Sequence, residues 1–175
     1  MFTKKILLER WSEAFGYECN IDVELGGDEN VSDARDCHWN ALRYLEKYQE
    51  TVLQVTLQAV YREYPEWRED YGYDEEELDE VMPEIKAPEN LLNLLKPYRV
   101  NVLNVEKEDT AYYGIEFACS WDEEHGLGVM LHNGRVIEVG EVDSAFLSWI
   151  AKNDRDSKAH EDIRSPLKMA CNIRK

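Results

Sequence analysis

The chain has 175 residues, with 37 acidic against 20 basic side chains and a formal net charge of −17. A field of that sign repels phosphate backbones and anionic membranes and draws in cationic partners, so nucleic acid and membrane surfaces are not expected as partners. An apolar fraction of 43% at this length excludes wholesale disorder and makes one domain over residues 1–151 the expectation.

The start, Met1 to Leu8, has too short an apolar run for a signal peptide, and Glu9-Arg10 ends it. No stretch approaches the roughly 20 apolar residues of a membrane span. Cys19, Cys37, Cys119 and Cys171 are scattered without a CxxC pair, so a cytosolic (cytoplasmic) chain with reduced thiols is expected. Tyr17 to Leu25 alternates, with Tyr17, Cys19, Ile21, Val23 and Leu25 on one side and acids or Asn20 on the other. That period predicts a strand with one wet face, stopped by Gly26-Gly27-Asp28.

Ser32 is the expected N-cap of a long helix, with Asp33 and Asp36 in the first turn. Its apolar stripe runs through Ala34, Cys37, Ala41, Leu45, Tyr48, Val52, Val55 and Ala59, and Pro65 is expected to end it. Residues 65–90 then read as an irregular acidic arm carrying Trp67, Tyr71 and Tyr73, with twelve acids against three bases between Arg62 and Glu89. Within it Asp74 to Glu80 can open a short helix. Glu89 to Lys96 predicts a second helix, opened by Pro88 and closed before Pro97.

From there the period is two. Val100, Val102 and Val105 suggest one strand, Tyr113 to Trp121 another, and Leu127, Val129 and Leu131 a third. Asn133-Gly134 predicts a tight hairpin into a fourth strand, Arg135 to Gly140. Val142 to Ala151 predicts a closing helix. This order gives an α+β fold, an antiparallel C-terminal β-meander packed against one long helix and shorter helices. Residues 152–175, with seven bases and four acids, read as a basic polar extension.

The densest chemistry lies at Trp121-Asp122-Glu123-Glu124-His125-Gly126-Leu127-Gly128. Carboxylates and an imidazole suit zinc, manganese or iron. His125 and His132, however, would stand roughly 23 Å apart on an extended strand at ~3.3 Å per residue, and cannot share an ion without a turn between them. A turn held by its own carboxylate-to-backbone bonds is the favoured reading. Glu138, Glu141 and Asp143 make a possible second carboxylate patch beside the hairpin. Cys37 and His38 are adjacent on a helix and point about 100° apart, so Cys37 reads as core, as does Cys119. No phosphate-binding glycine loop or nucleophile elbow is present, and no catalytic residue, metal ligand or cofactor is assigned.

A binding reading asks less of these residues. Trp67, Tyr71 and Tyr73 on the arm, Trp39 and Tyr44 off the helix stripe, and Trp121 at the turn supply anchoring rings beside acidic charge. Trp121 and Trp149 are also the rings most expected in the core. The run Tyr113 to Val129 with its WDEEHGLGV motif, followed by His132, Arg135-Val136 and Val139-Gly140, resembles a family of uncharacterised bacterial domains, over most of residues 15–150. That resemblance implies a small acidic domain of the kind found among candidate immunity proteins of polymorphic toxin systems, and it carries over no catalytic residue.

The expectation is therefore a non-catalytic acidic protein-binding domain, whose site is Trp121, Asp122, Glu123, Glu124, His125, Trp67, Tyr71 and Tyr73. Its expected partner is a protein with a basic surface, such as a toxin domain, and a homodimer is an option. The rivals are a metal-dependent enzyme built on Asp122 to His125, and a structural module whose basic tail docks on a neighbour's acidic arm.

Overall fold

Among the described residues six strands form one sheet in the order in which the chain makes them, and every neighbouring pair is antiparallel except β2 and β3. The structure, a computed structural model, describes residues 4–164. A short strand β1 (Lys4–Leu7) and helix α1 (Glu9–Phe15) precede β2 (Asn20–Gly26). The crossover demanded by the parallel pair contains α2 (Asp36–Lys47), α3 (Gln49–Asp70), α4 (Glu75–Val81) and a 3-10 turn, Pro88–Asn93. The meander follows as β3 (Leu95–Lys107), β4 (Thr110–Cys119), β5 (Asp122–His132) and β6 (Arg135–Glu141). A 3-10 turn at Val142–Ala145 and helix α5 (Ser148–Arg164) close the described chain.

The α+β class holds: β3 to β6 form an antiparallel C-terminal meander, and β1 and β2 extend it, through the parallel β2–β3 pair, into one mixed six-stranded sheet. Tyr113, Ile115, Phe117, Leu127, Val129 and Leu131 bury their side chains in the main core, which holds the apolar faces of α1, α2 and α3. On the other face Leu103, Tyr112 and Met130 pack against Ile150 and Ala151 of α5. The Val142–Ala145 turn lies directly on the sheet, because a Cβ at Gly114 would overlap the Ala145 carbonyl and one at Gly128 would stand 2.6 Å from the Glu141 carbonyl. β2 buries Ile21 and Val23 and exposes Asn20, Asp22 and Glu24, as its period requires; it begins only at Asn20, so Cys19 is buried just ahead of it and Tyr17 is exposed outside it. The Asn133-Gly134 turn joins β5 to β6 with His132 opposite Arg135. Among the described residues no helix is long and apolar enough to cross a membrane.

Several boundaries differ from expectation. The single long helix is two, broken at Tyr48, where the backbone leaves the helical region at φ −114° and ψ 36°. Helix α1, which periodicity did not reveal, holds the break: the Trp11 indole donates to the Gln49 carbonyl at 2.8 Å, and the Arg10 amide donates to Gln49 Oε1 at 3.0 Å. Each half then buries its own face, so the stripe moves to Val52, Leu53, Thr56, Leu57, Val60 and Tyr64. Nor does Ser32 cap it, since α2 begins at Asp36.

Pro65 does not end the helix either. It sits exposed inside α3, which continues to Asp70, because Tyr64 and Trp67 on either side both pack on Trp121. That burial offsets the roughly 3 kcal/mol an interior proline costs. Pro97 lies within β3 at a bulge, not beyond a helix. There β3 pairs only with β4, since pairing with β2 begins at Arg99, so the missing N–H breaks no ladder. Trp149, expected in the core, is 56% exposed on α5. The boundary expected at Ala151 falls inside α5, where Asp154 takes a bidentate pair from Arg135 at 2.8 and 2.6 Å and a bond from the Tyr112 hydroxyl at 2.8 Å. The rest of the expected basic extension, 165–175, lies outside the described residues.

Candidate functional site: an acidic, aromatic-lined cleft

The β4–β5 hairpin turns through Ser120-Trp121, with Cys119 opposite Asp122, yet the next pair is Phe117 opposite Leu127. Glu123 to Gly126 therefore have almost no partners across the ladder and bow outward. The segment is a bulge at the start of β5, not a loop between strands. Gly126 closes it with φ +69°, and a Cβ there would stand 2.7 Å from the Phe117 carbonyl oxygen. Asp122 holds the bulge from within: its Oδ1 accepts from the His125 backbone N–H at 2.9 Å and faces His125 Nδ1 at 3.1 Å. This is the carboxylate-stabilised turn the sequence suggested.

The acidic arm is not irregular but folded against this hairpin. The Tyr71 hydroxyl donates to Asp122 Oδ2 at 3.0 Å, and the Tyr73 hydroxyl donates to the Trp121 carbonyl at 2.7 Å. Ser120 Oγ donates back to the Val81 carbonyl at 2.6 Å. Arg68 ties the arm to itself through the Met82 carbonyl at 2.7 Å and the Asp79 carboxylate at 2.5 Å. Trp121 is buried beneath, edge-on to Tyr64 at 5.4 Å and tilted against Trp67 at 6.2 Å. The rings of Tyr71 and Tyr73 lie parallel, 5.9 Å apart.

Between arm and hairpin opens a cleft of about 870 Å³, and all eight residues expected at the site line it. Joining them are three further carboxylates, Asp70, Glu77 and Glu141, while no lysine or arginine is among the described residues that line it. Of the second carboxylate patch only Glu141 belongs here; Glu138 and Asp143 lie elsewhere. Asp70 and Glu77 are not among the predicted site residues: a stop at Pro65 hides the phase of Asp70, and nothing local to Asp74–Glu80 shows which of its acids faces the hairpin. The signal was present in the helical spacing of Trp67, Asp70 and Tyr71. Glu141 follows from the Asn133-Gly134 hairpin, whose register carries it opposite Leu127.

The charges in the cleft are unequal in their commitments. Burial pushes the Asp122 carboxyl up, but its bonds from the His125 backbone, Tyr71 and the His125 ring outweigh that and hold it below the usual range. The same bond and the negative charge of Asp122 raise the exposed His125. Burial first, then the bond to Asp122, raises the Tyr71 phenol. Tyr71, Asp122 and His125 thus form one chain that clamps arm to bulge. Asp122 has both oxygens engaged. Asp70, Glu77, Glu123, Glu124 and Glu141 make no side-chain hydrogen bond or ion pair among the described residues.

Other candidates resolve into structure. His132 is buried at the far end of β5, its Nε2 facing the Lys107 and Thr110 carbonyls at 3.1 and 3.2 Å, and it shares nothing with His125. His38 accepts the Arg35 amide on Nδ1 at 3.0 Å, and burial, with Arg35 nearby, lowers its pKa. Burial pushes the Cys37 thiol up to about 11 and the Cys119 thiol up to about 12, so neither is a thiolate at neutral pH. Among the described residues no three His, Cys, Asp or Glu side chains are grouped so as to hold a metal ion. Trp39 and Tyr44 are partly buried against the core, away from the cleft.

A model of the family described as Domain of unknown function (DUF6985) matches residues 3–147. The chain belongs to that family. The match spans both walls of the cleft, and no curated protein and no solved structure matches the chain.

Proposed function

We propose that this chain is a non-catalytic protein-binding domain that receives a basic partner in the cleft, in the manner of an immunity protein that neutralises a cationic toxin domain in the bacterial cytosol. The observation that carries this reading is the composition of the cleft wall: six carboxylates and four large aromatic rings, with no lysine or arginine among the described residues that line it. Rings at the centre of an interface supply most of its anchoring energy, and net charge steers encounter and selects the partner's sign. The formal charge of −17 extends that steering over the whole chain. Nothing in the cleft favours the metal-enzyme alternative, since Asp122 is spent on Tyr71 and His125.

The test is capture of a panel of purified cationic toxin domains on the immobilised chain at rising salt. Capture that weakens steeply with salt, and that fails when Glu123, Glu124 and Glu141 are all changed to Gln, supports the reading. Salt-independent capture, or none from any basic domain, refutes it.

A further inference from the structure

We infer that the cleft is built to seat an arginine side chain of its partner, an inference that rests on the cationic-partner reading above. Five of its carboxylates, Asp70, Glu77, Glu123, Glu124 and Glu141, have no ion-pair partner among the described residues; of the bases there, His125 in the lining is held by Asp122, and Arg68 on the arm by Asp79. Charge complementarity therefore calls for a cation from outside. It is not a metal ion, because no three ligand side chains among the described residues are grouped for one. The carboxylates surround a volume instead of converging on a point.

Aromatic chemistry narrows the class further. The hydroxyls of Tyr71 and Tyr73 are already spent on Asp122 and the Trp121 carbonyl. What these rings and Trp67 have left to offer a ligand is aromatic carbon. A guanidinium is flat and weakly hydrated, stacks on such rings, and carries five donors that reach several separated carboxylates at once. An ammonium is a strongly hydrated point charge that gains most where carboxylates converge, which these do not. The cleft's volume, about 870 Å³, exceeds one side chain, so residues flanking the arginine enter with it.

The probes are three capped tetrapeptides, tetra-arginine, tetra-lysine and the neutral tetra-citrulline, titrated into the full chain at ~0.15 M salt. Tryptophan emission from Trp67 and Trp121 and calorimetry are the readouts. Tetra-arginine is expected to bind about tenfold more tightly than tetra-lysine, and tetra-citrulline not at all. Asp70→Asn combined with Glu141→Gln is expected to weaken tetra-arginine about tenfold while the circular dichroism spectrum and Tm stay unchanged. Equal affinity for the two cationic peptides, or unchanged affinity in the cleft variant, overturns the arginine assignment and leaves the basic-partner reading standing. Binding of neither peptide overturns the assignment too, and the toxin-domain capture then decides the broader reading by itself. Capture without peptide binding means the partner enters without an arginine anchor, and no capture removes both.

Discussion

Changing Tyr71 to Phe removes one hydroxyl from the chain that holds arm to hairpin and leaves the ring in place. The lost bond runs to a carboxylate at 3.0 Å whose side chain is 12% exposed. Hydrogen bonds to charged groups contribute about 1.5–3 kcal/mol, and the half-buried position of Tyr71 brings the expectation down to about 1–2 kcal/mol. For a chain of this size that is a fall in Tm of roughly 3–6 °C, read by calorimetry or urea unfolding. Asp122→Asn and the double variant complete a cycle whose coupling term is expected at about 1 kcal/mol or more. The pH dependence has a definite sign. The folded pKa of Asp122 lies below its usual 3.8, so the stability it contributes is present above that value and is lost as pH falls through the folded pKa. The gap between the native chain and Tyr71→Phe should therefore narrow only in acid, below about pH 4. Additive single variants, with coupling under about 0.3 kcal/mol, would refute the view that Asp122 fastens the arm.

Other outcomes follow from the same contacts. Trp121→Ala empties the 2%-exposed site between Tyr64 and Trp67 and should cost about 3–5 kcal/mol in urea unfolding, which makes Trp121 a floor of the cleft before it is a contact. His125 should titrate above its usual 6.5 by NMR, and Asp122→Asn should return it toward that value. Because its folded pKa is raised, any stability this exposed pair gives is present below the unfolded pKa and disappears as pH rises through the folded one. Asp154→Asn weakens the bidentate pair with Arg135 and should lower stability by about 1–3 kcal/mol, with faster amide exchange in α5 as the local signature. Unchanged exchange there would show that α5 is held without this pair, by Ile150 and Ala151 in the core, the Ser148 bonds to Asp28 and the Lys152–Glu29 ion pair.

Where a segment's structure depends on its own period, the sequence declared it. β2 alternates, Asn133-Gly134 turns, and the β4–β5–β6 meander lies where its apolar residues placed it. Trp67, Tyr71, Tyr73 and Trp121 to His125 were also legible, because acids beside aromatic rings are conspicuous in composition alone. Where distant segments compete, the sequence spoke ambiguously. Proline at position 65 says stop, yet Tyr64 and Trp67 reach Trp121 only if the helix continues, and that burial is worth more than the missing bond. The stripe from Ala34 to Ala59 says one helix, yet Trp11 and Gln49 lock a break that no local pattern encodes.

The sequence by itself determined the class of the fold, the excess of negative charge and, in the cleft wall, the four rings with Asp122, Glu123, Glu124 and His125. Only the tertiary structure decided that these residues belong to one place. Tyr71 and Asp122 are separated by 51 residues and become neighbours through a single hydrogen bond, and Tyr73 meets Trp121 in the same way. Such contacts form because burying Trp121 requires a cover and the arm is the segment able to supply one. Which carboxylates are then spent on holding that cover, and which remain to face a partner, is set by geometry that spacing along the chain does not contain.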